Sequence, residues 1–224
     1  MDEFGGDLGR IVVSGVMAVM RGVTPDTVVD LAAALHEGGI TAMEVTADTP
    51  DAMEMISRVD EAFADEEDVV VGAGTVLDQE TARSAILAGA RFVVAPTLDE
   101  GTVELCNRYG VVCAPGVFTP TEALRAYEAG ADMVKVFPAK TGGPGHVGAI
   151  KAPLPQIPIM PTGGVGPANA ADYVEAGAAV VGVGSALVDD EAVATGDFES
   201  ITETARELVE TIESARERRE HRDG

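Results

Sequence analysis

Lys135 sits in the apolar run "ADMVKVFPAK" of a chain that holds twelve arginines and only three lysines, Lys135, Lys140 and Lys151. Strand alternation puts Met133, Lys135 and Phe137 on one face and Val134 and Val136 on the other. The valines suit a covered outer side, which sends Lys135 inward. A buried ion pair is a weak source of stability, whereas burial favours the neutral amine that can attack a carbonyl, so the residue reads as a Schiff-base nucleophile. Imine chemistry also needs a proton shuttle. In "TAMEVT" the same alternation groups Ala42, Glu44 and Thr46, so Glu44 is an inward carboxylate suited to acid–base work near neutral pH. An ion pair between Glu44 and Lys135 is the structural alternative, compatible with the catalytic one. Two Gly-rich stretches, "PTGGVGPAN" and "VGVGSAL", could aim backbone N–H groups at a phosphate after the last two strands.

The elements that must hold these groups recur along the chain. Stretches such as "SAILAGARFVVAPT" and "DYVEAGAAVVGVGS" each show an amphipathic helical segment, a Gly stop and a short Val/Ile-rich run. Eight such runs can be counted: "IVVSGVMAVM", "TAMEVT", "DVVVGAGTV", "RFVVAPT", "VVCAPGV", "DMVKVFPA", "IPIMPTGGV" and "AVVGVGSALV". Eight strands alternating with helices predict a (β/α)8 TIM barrel. A doubly wound sheet is disfavoured because no dinucleotide fingerprint follows the first strand. The polar residues closing the runs are Arg21, Glu44, Thr75, Thr97, Thr119, Lys135, Thr162 and Ser185. Residues 1–224 are expected to form a single domain, with an N-terminal segment over 1–10 and a C-terminal helix and tail over 197–224 whose end frays into solvent.

A formal charge of −23 argues against nucleic acid and anionic membranes as partners. Such an acidic surface resembles that of a salt-in halophile, since molar salt screens its self-repulsion. Cys106 and Cys113 lack metal-ligand spacing and read as buried reduced thiols, which with the acidic N-terminus implies a cytoplasmic protein without an export signal. The three histidines, His36, His146 and His221, are too scattered in sequence to suggest a metal site.

Taken together, "VMRGVTPD", "GGITAMEVT", "VGAGTVL", "APGVFTPTEA", "VKVFPA", "MPTGGV" and "VGVGSAL" resemble the KDPG/KHG (2-keto-3-deoxy-6-phosphogluconate) aldolase family of the Entner–Doudoroff pathway, over roughly Ile11 to Leu187. The resemblance implies a class I aldolase, without metal or other cofactor, that cleaves the phosphorylated keto-deoxy sugar acid to pyruvate and glyceraldehyde 3-phosphate. It implies a homotrimer. By motif, Lys135 would form the Schiff base and Glu44 would move protons on and off the carbinolamine and the pyruvate methyl carbon. Arg21 and Thr75 would bind substrate, Pro96 and Phe137 would line the pocket, and Thr162, Gly163, Gly164, Gly184 and Ser185 would hold the phosphate. One departure stands out. Some members carry an Arg where this chain has Ala47, Asp48 and Thr49, which leaves Arg21 as the best cation for the substrate carboxylate. The galactonate epimer as substrate and an isomerase on a phosphate-binding barrel are the alternative readings.

Overall fold

The computed structural model describes residues 4–223. Among the described residues there are nine strands: β1 (Val16–Met20), β2 (Ala42–Thr46), β3 (Val70–Gly74), β4 (Phe92–Val94), β5 (Val112–Ala114), β6 (Gly116–Val117), β7 (Val134–Val136), β8 (Ile159–Pro161) and β9 (Val181–Val183). The helices are α1 (Gly6–Ser14), α2 (Val28–Glu37), α3 (Ala52–Ala62), α4 (Gln79–Leu87), α5 (Glu100–Tyr109), α6 (Pro120–Glu128), α7 (Ala139–Lys151), α8 (Ala170–Glu175), α9 (Asp190–Thr195) and α10 (Phe198–Asp223). All strand pairing among them is parallel, in the orders β5-β4-β3-β2-β1-β9 and β6-β7-β8. The result is a curled parallel sheet wrapped by helices.

Every one of the eight apolar runs contains strand, but two are divided differently from the expectation. In "VVCAPGV" the run breaks at Pro115, giving β5 and β6, because proline has no N–H to offer a ladder. In "IVVSGVMAVM" only Val16–Met20 is strand. Ile11 to Ser14 close helix α1, which Gly15 ends at φ 72; periodicity in so short an apolar run does not separate strand from helix.

Two apolar layers follow from the alternation. The inner one contains Met17, Ala42, Val70, Phe92, Ala114, Met133, Met160 and Val180, closed below by Ile11 of α1. Met43, Val45, Val134 and Val136 belong to the outer layer, against the helices. Lys135 and Glu44 are therefore held inward by the strands themselves. Lys135 is fixed in register opposite Gly116 and Met160, and its backbone N–H donates to the Pro115 carbonyl at 2.9 Å.

Helix α10 runs from Phe198 to Asp223 and buries Ile201, Ala205, Leu208, Ile212 and Ala215. Its three large aliphatic side chains contribute about 2 kcal/mol each by burial. It crosses α2 so closely that a Cβ on Gly38 would overlap Ala205, and Thr202 Oγ1 donates to the Ala34 carbonyl at 3.0 Å. The expected fraying is not seen among the described residues. Arg218 Nε donates to Glu175 at 2.9 Å and Arg219 Nη1 to the Val174 carbonyl at 3.0 Å, so the basic end is docked on α8. Among the described residues, no helix is long and apolar enough to cross a membrane.

With 38 acidic against 15 basic residues, the folded state is expected to strengthen with salt. The Debye length falls from roughly 30 Å at 0.01 M to roughly 3 Å at 1 M. A melting series in KCl should show a midpoint rising well into the molar range. Sucrose, which favours compact states without screening, should do less. A flat KCl series, or equal benefit from sucrose, would remove charge screening as the cause.

Candidate active site

The C-terminal ends of β1, β2, β7, β8 and β9 surround a cavity of about 560 Å³. Its lining brings together Arg21, Glu44, Lys135, Phe137, Thr162, Gly163, Gly164, Gly184 and Ser185, all of them expected from the sequence. Lys135 is 4% exposed and Glu44 1%. Lys135 Nζ lies 5.2 Å from the centroid of the Phe137 ring, on the cavity side of β7.

Among the described residues, neither Glu44 oxygen has a hydrogen-bond partner, and nor does Thr162 Oγ1. A contact ion pair between Glu44 and Lys135 is therefore not formed, and the structural alternative for these two residues loses its geometry. An unsatisfied buried polar group costs about 1–3 kcal/mol. Three such atoms in one cavity are tolerable where a ligand is the intended partner. Burial pushes the Glu44 carboxyl above its ordinary value; the charges of Lys135 and Arg21 oppose that shift without cancelling it, and Asp48 adds to it. The carboxylate has its space because β3 ends on Gly74, where a Cβ would overlap it.

Arg21 stands just past β1. It forms an ion pair with Asp48, and its Nη2 donates to Thr75 Oγ1 at 2.8 Å. Thr75 is held at φ 56, a left-handed conformation that is costly for a β-branched residue and characteristic of functional sites. Asp48 occupies the stretch where some family members would place an Arg, so the loop opposes Arg21's charge instead of adding to it. Burial raises the Asp48 carboxyl, but the Thr46 hydroxyl and the Arg21 guanidinium outweigh this and hold it below its usual value. The loop is tied down by Thr46 and Thr49, whose hydroxyls lie 2.9 Å apart, and by Gly22 N–H, which donates to Thr49 Oγ1 at 3.2 Å.

The opposite wall is the loop after β8. Gly163 and Gly164 adopt φ 90 and 81, and a Cβ on Gly163 would meet the Phe137 ring at 3.1 Å. Among the described residues, the N–H groups of Gly164, Val165, Gly184 and Ser185 have no protein acceptor. They form the concave set of donors that suits an anion. Sequence reasoning missed Asn169, which shapes this loop: its Oδ1 accepts from Gly166 N–H at 3.0 Å and its Nδ2 donates to the Gly164 carbonyl at 2.9 Å. Asn169 stands just before α8 but makes no side-chain cap bond to it, so the capping preference of Asn would not have found this role.

Other strand-end residues play different parts. Thr119 is the N-cap of α6, in a capping box with Glu122. Thr75 reaches the cavity through Arg21, and neither Pro96 nor Thr97 is among the lining residues. His36, remote in sequence from the other histidines, lies beside Glu66 and Asp68, with ligand atoms within 4.8 Å of one another. That group precedes β3, at the other end of the strands, and takes no part in the cavity.

Comparison with known proteins gives the family. Residues 10–204 match a family model described as "KDPG and KHG aldolase". A 2-dehydro-3-deoxy-phosphogluconate aldolase of Treponema pallidum is 39% identical over 82% of this chain and 87% of its own length. A 2-dehydro-3-deoxy-6-phosphogalactonate aldolase of Escherichia coli is 35% identical over 77% and 83%. Among solved structures, the KDPG aldolase of Legionella pneumophila, captured with pyruvate as a covalent carbinolamine, superposes with a TM-score of 0.84 at 30% identity, covering 91% of this chain and 98% of that one. With a cavity that joins an inward lysine, an inward carboxylate and a Gly-rich loop, and with the match running from β1 through α9 into the first turns of α10, the chain belongs to the KDPG and KHG aldolase family.

Proposed function

We propose that the protein is a class I aldolase that reversibly cleaves 2-keto-3-deoxy-6-phosphogluconate to pyruvate and glyceraldehyde 3-phosphate. The observation that carries this reading is the burial of Lys135 and Glu44 in one cavity whose far wall offers unpaired N–H donors. Lys135 Nζ adds to the C2 carbonyl carbon, and Glu44 gives its proton to the departing hydroxyl, so that the carbinolamine loses water and leaves a protonated imine beside the Glu44 carboxylate. Glu44 takes the proton of the C4 hydroxyl as the C3–C4 bond breaks. The bonding pair passes to C3 and is delocalised onto the imine nitrogen, leaving an enamine and releasing the aldehyde. Glu44 then returns its proton to C3, which becomes the methyl carbon of pyruvate, and water hydrolyses the imine to free the lysine. In this scheme Arg21, set by Thr75 and Asp48, receives the substrate carboxylate. Phe137 bounds the pocket, while Pro96, expected beside it, stands outside the lining. Thr162, Gly163, Gly164, Gly184 and Ser185 take the phosphate.

The galactonate epimer has comparable support, because relatives named for each substrate match at similar identity. Assaying both epimers, each with and without its phosphate, separates the two. Borohydride reduction with pyruvate present should add a stable pyruvyl-derived mass; an acid–base isomerase on the same scaffold would gain none.

The reading extends to the architecture. A closed eight-stranded TIM barrel, folded as one domain over 1–224, is supported by the continuity of β5 and β6 across Pro115 and by the parallel bridge between Thr162 and Gly182, which links the end of β8 to β9. A cytoplasmic homotrimer is the expected assembly. Exposed Leu124 and Tyr127 on α6 offer apolar surface for subunit contact, and light scattering on the eluted protein would measure the subunit number.

A further inference from the structure

We propose that Lys140 is a further substrate-binding residue, whose ammonium supplies the cation for the phosphate end of the substrate. The proposal rests on the reading of the β8 loop as the phosphate cradle. Lys140 is joined to that loop twice. Its backbone N–H donates to the Gly163 carbonyl at 2.9 Å. Its stem lies across Gly164, where a Cβ would come within 2.6 Å of Lys140 Cβ and 3.0 Å of its Cδ. The absence of a side chain at Gly164 thus leaves room for the lysine stem beside the cavity wall.

The other cations near the cavity are already engaged. Lys135 is the imine-forming group, and Arg21 is neutralised by Asp48 and bonded to Thr75. The third lysine, Lys151, is used elsewhere: its Nζ donates to the carbonyls of Pro155 and Ile157, each at 2.8 Å. Lys140 is exposed and, among the described residues, makes no ion pair. A flexible four-carbon stem lets its ammonium swing over the loop as a point charge. The field of the whole chain, at −23, repels a doubly charged phosphate, and a local cation at the cradle offsets that repulsion where backbone N–H groups supply direction but no net charge.

The test compares the wild type with Lys140→Met, which keeps the stem and removes the charge, and with Lys140→Arg, which restores it. Each is assayed at fixed KCl on the phosphorylated keto-deoxy sugar acid and on its unphosphorylated counterpart. Loss of one charge-assisted contact should raise KM for the phosphorylated substrate roughly tenfold in Lys140→Met. KM for the unphosphorylated one should stay put, kcat should change little, and Lys140→Arg should recover most of the loss. A Lys140→Met enzyme that keeps the wild-type preference for phosphate would overturn the assignment. So would an equal rise in KM for both substrates, which would mark the stem as packing only. A wild type with no preference for the phosphate would instead bring down the cradle reading, and this proposal with it.

Discussion

Lys135→Arg is expected to abolish turnover and to abolish borohydride trapping of pyruvate, while the melting transition in molar KCl persists. Arginine keeps the positive charge and much of the length, but its guanidinium stays protonated and offers no free amine. The neighbourhood leaves no substitute. Met133 and Met160 pack in the same inner layer, and Gly116 faces Lys135 across the ladder. Lys140 is tied by its backbone to the loop beyond β8, and Lys151 is bonded to carbonyls at the far end of α7. Peptide mapping of the reduced wild-type adduct should therefore place the added mass on Lys135. If trapping survives the substitution and maps to Lys140 or Lys151, the nucleophile has been misassigned and the inward position of Lys135 needs another explanation.

The inward pair is legible in the sequence because β alternation is a local rule. Once "DMVKVFPA" and "TAMEVT" are strands, the valines and methionines between decide which face the polar residue takes. The features that are not legible depend on long-range contact. Asp48 lies 27 residues from Arg21, and nothing local announces that the two meet, so the loop looks like a site lacking a cation when it holds a counter-charge. His36 likewise meets Asp68 only because the end of α2 packs beside the segment leading into β3. Helix α1 is hidden for a different reason: "IVVS" is a β-branched run by composition, and it is helical because Ile11 plugs the open end of the inner layer. Tertiary burial there outweighs propensity. The basic end of α10 reads as a fraying tail, because its partners, Glu175 and the carbonyls that end α8, are supplied by the fold.

Glu44→Gln is expected to slow exchange of the pyruvate methyl protons with solvent by roughly 10²-fold or more, the usual scale for a lost general acid–base group, while imine formation at Lys135 can still be trapped. Removal of the methyl proton requires the ionised carboxylate, and burial raises the Glu44 carboxyl. Wild-type exchange should then climb with pH through that raised value, and the climb should be missing in the glutamine variant. The stability curves carry an independent sign. A carboxyl whose folded value lies above its unfolded value makes a contribution that is fully present at low pH and is lost as the pH rises through the folded value. Glutamine cannot ionise, so Glu44→Gln should match the wild type in acid and become the more stable of the two above that pH. The two measurements separate the roles of the residue. A glutamine variant with the predicted stability curve but unchanged proton exchange would show that Glu44 is a buried carboxyl with no part in the proton transfer. Reduced exchange that keeps the wild-type pH dependence would place the base on another group. Among the described residues, both oxygens of Glu44 lie without a protein partner in the cavity that holds Lys135, which is the arrangement a group needs if its proton is to be given to a substrate and taken back.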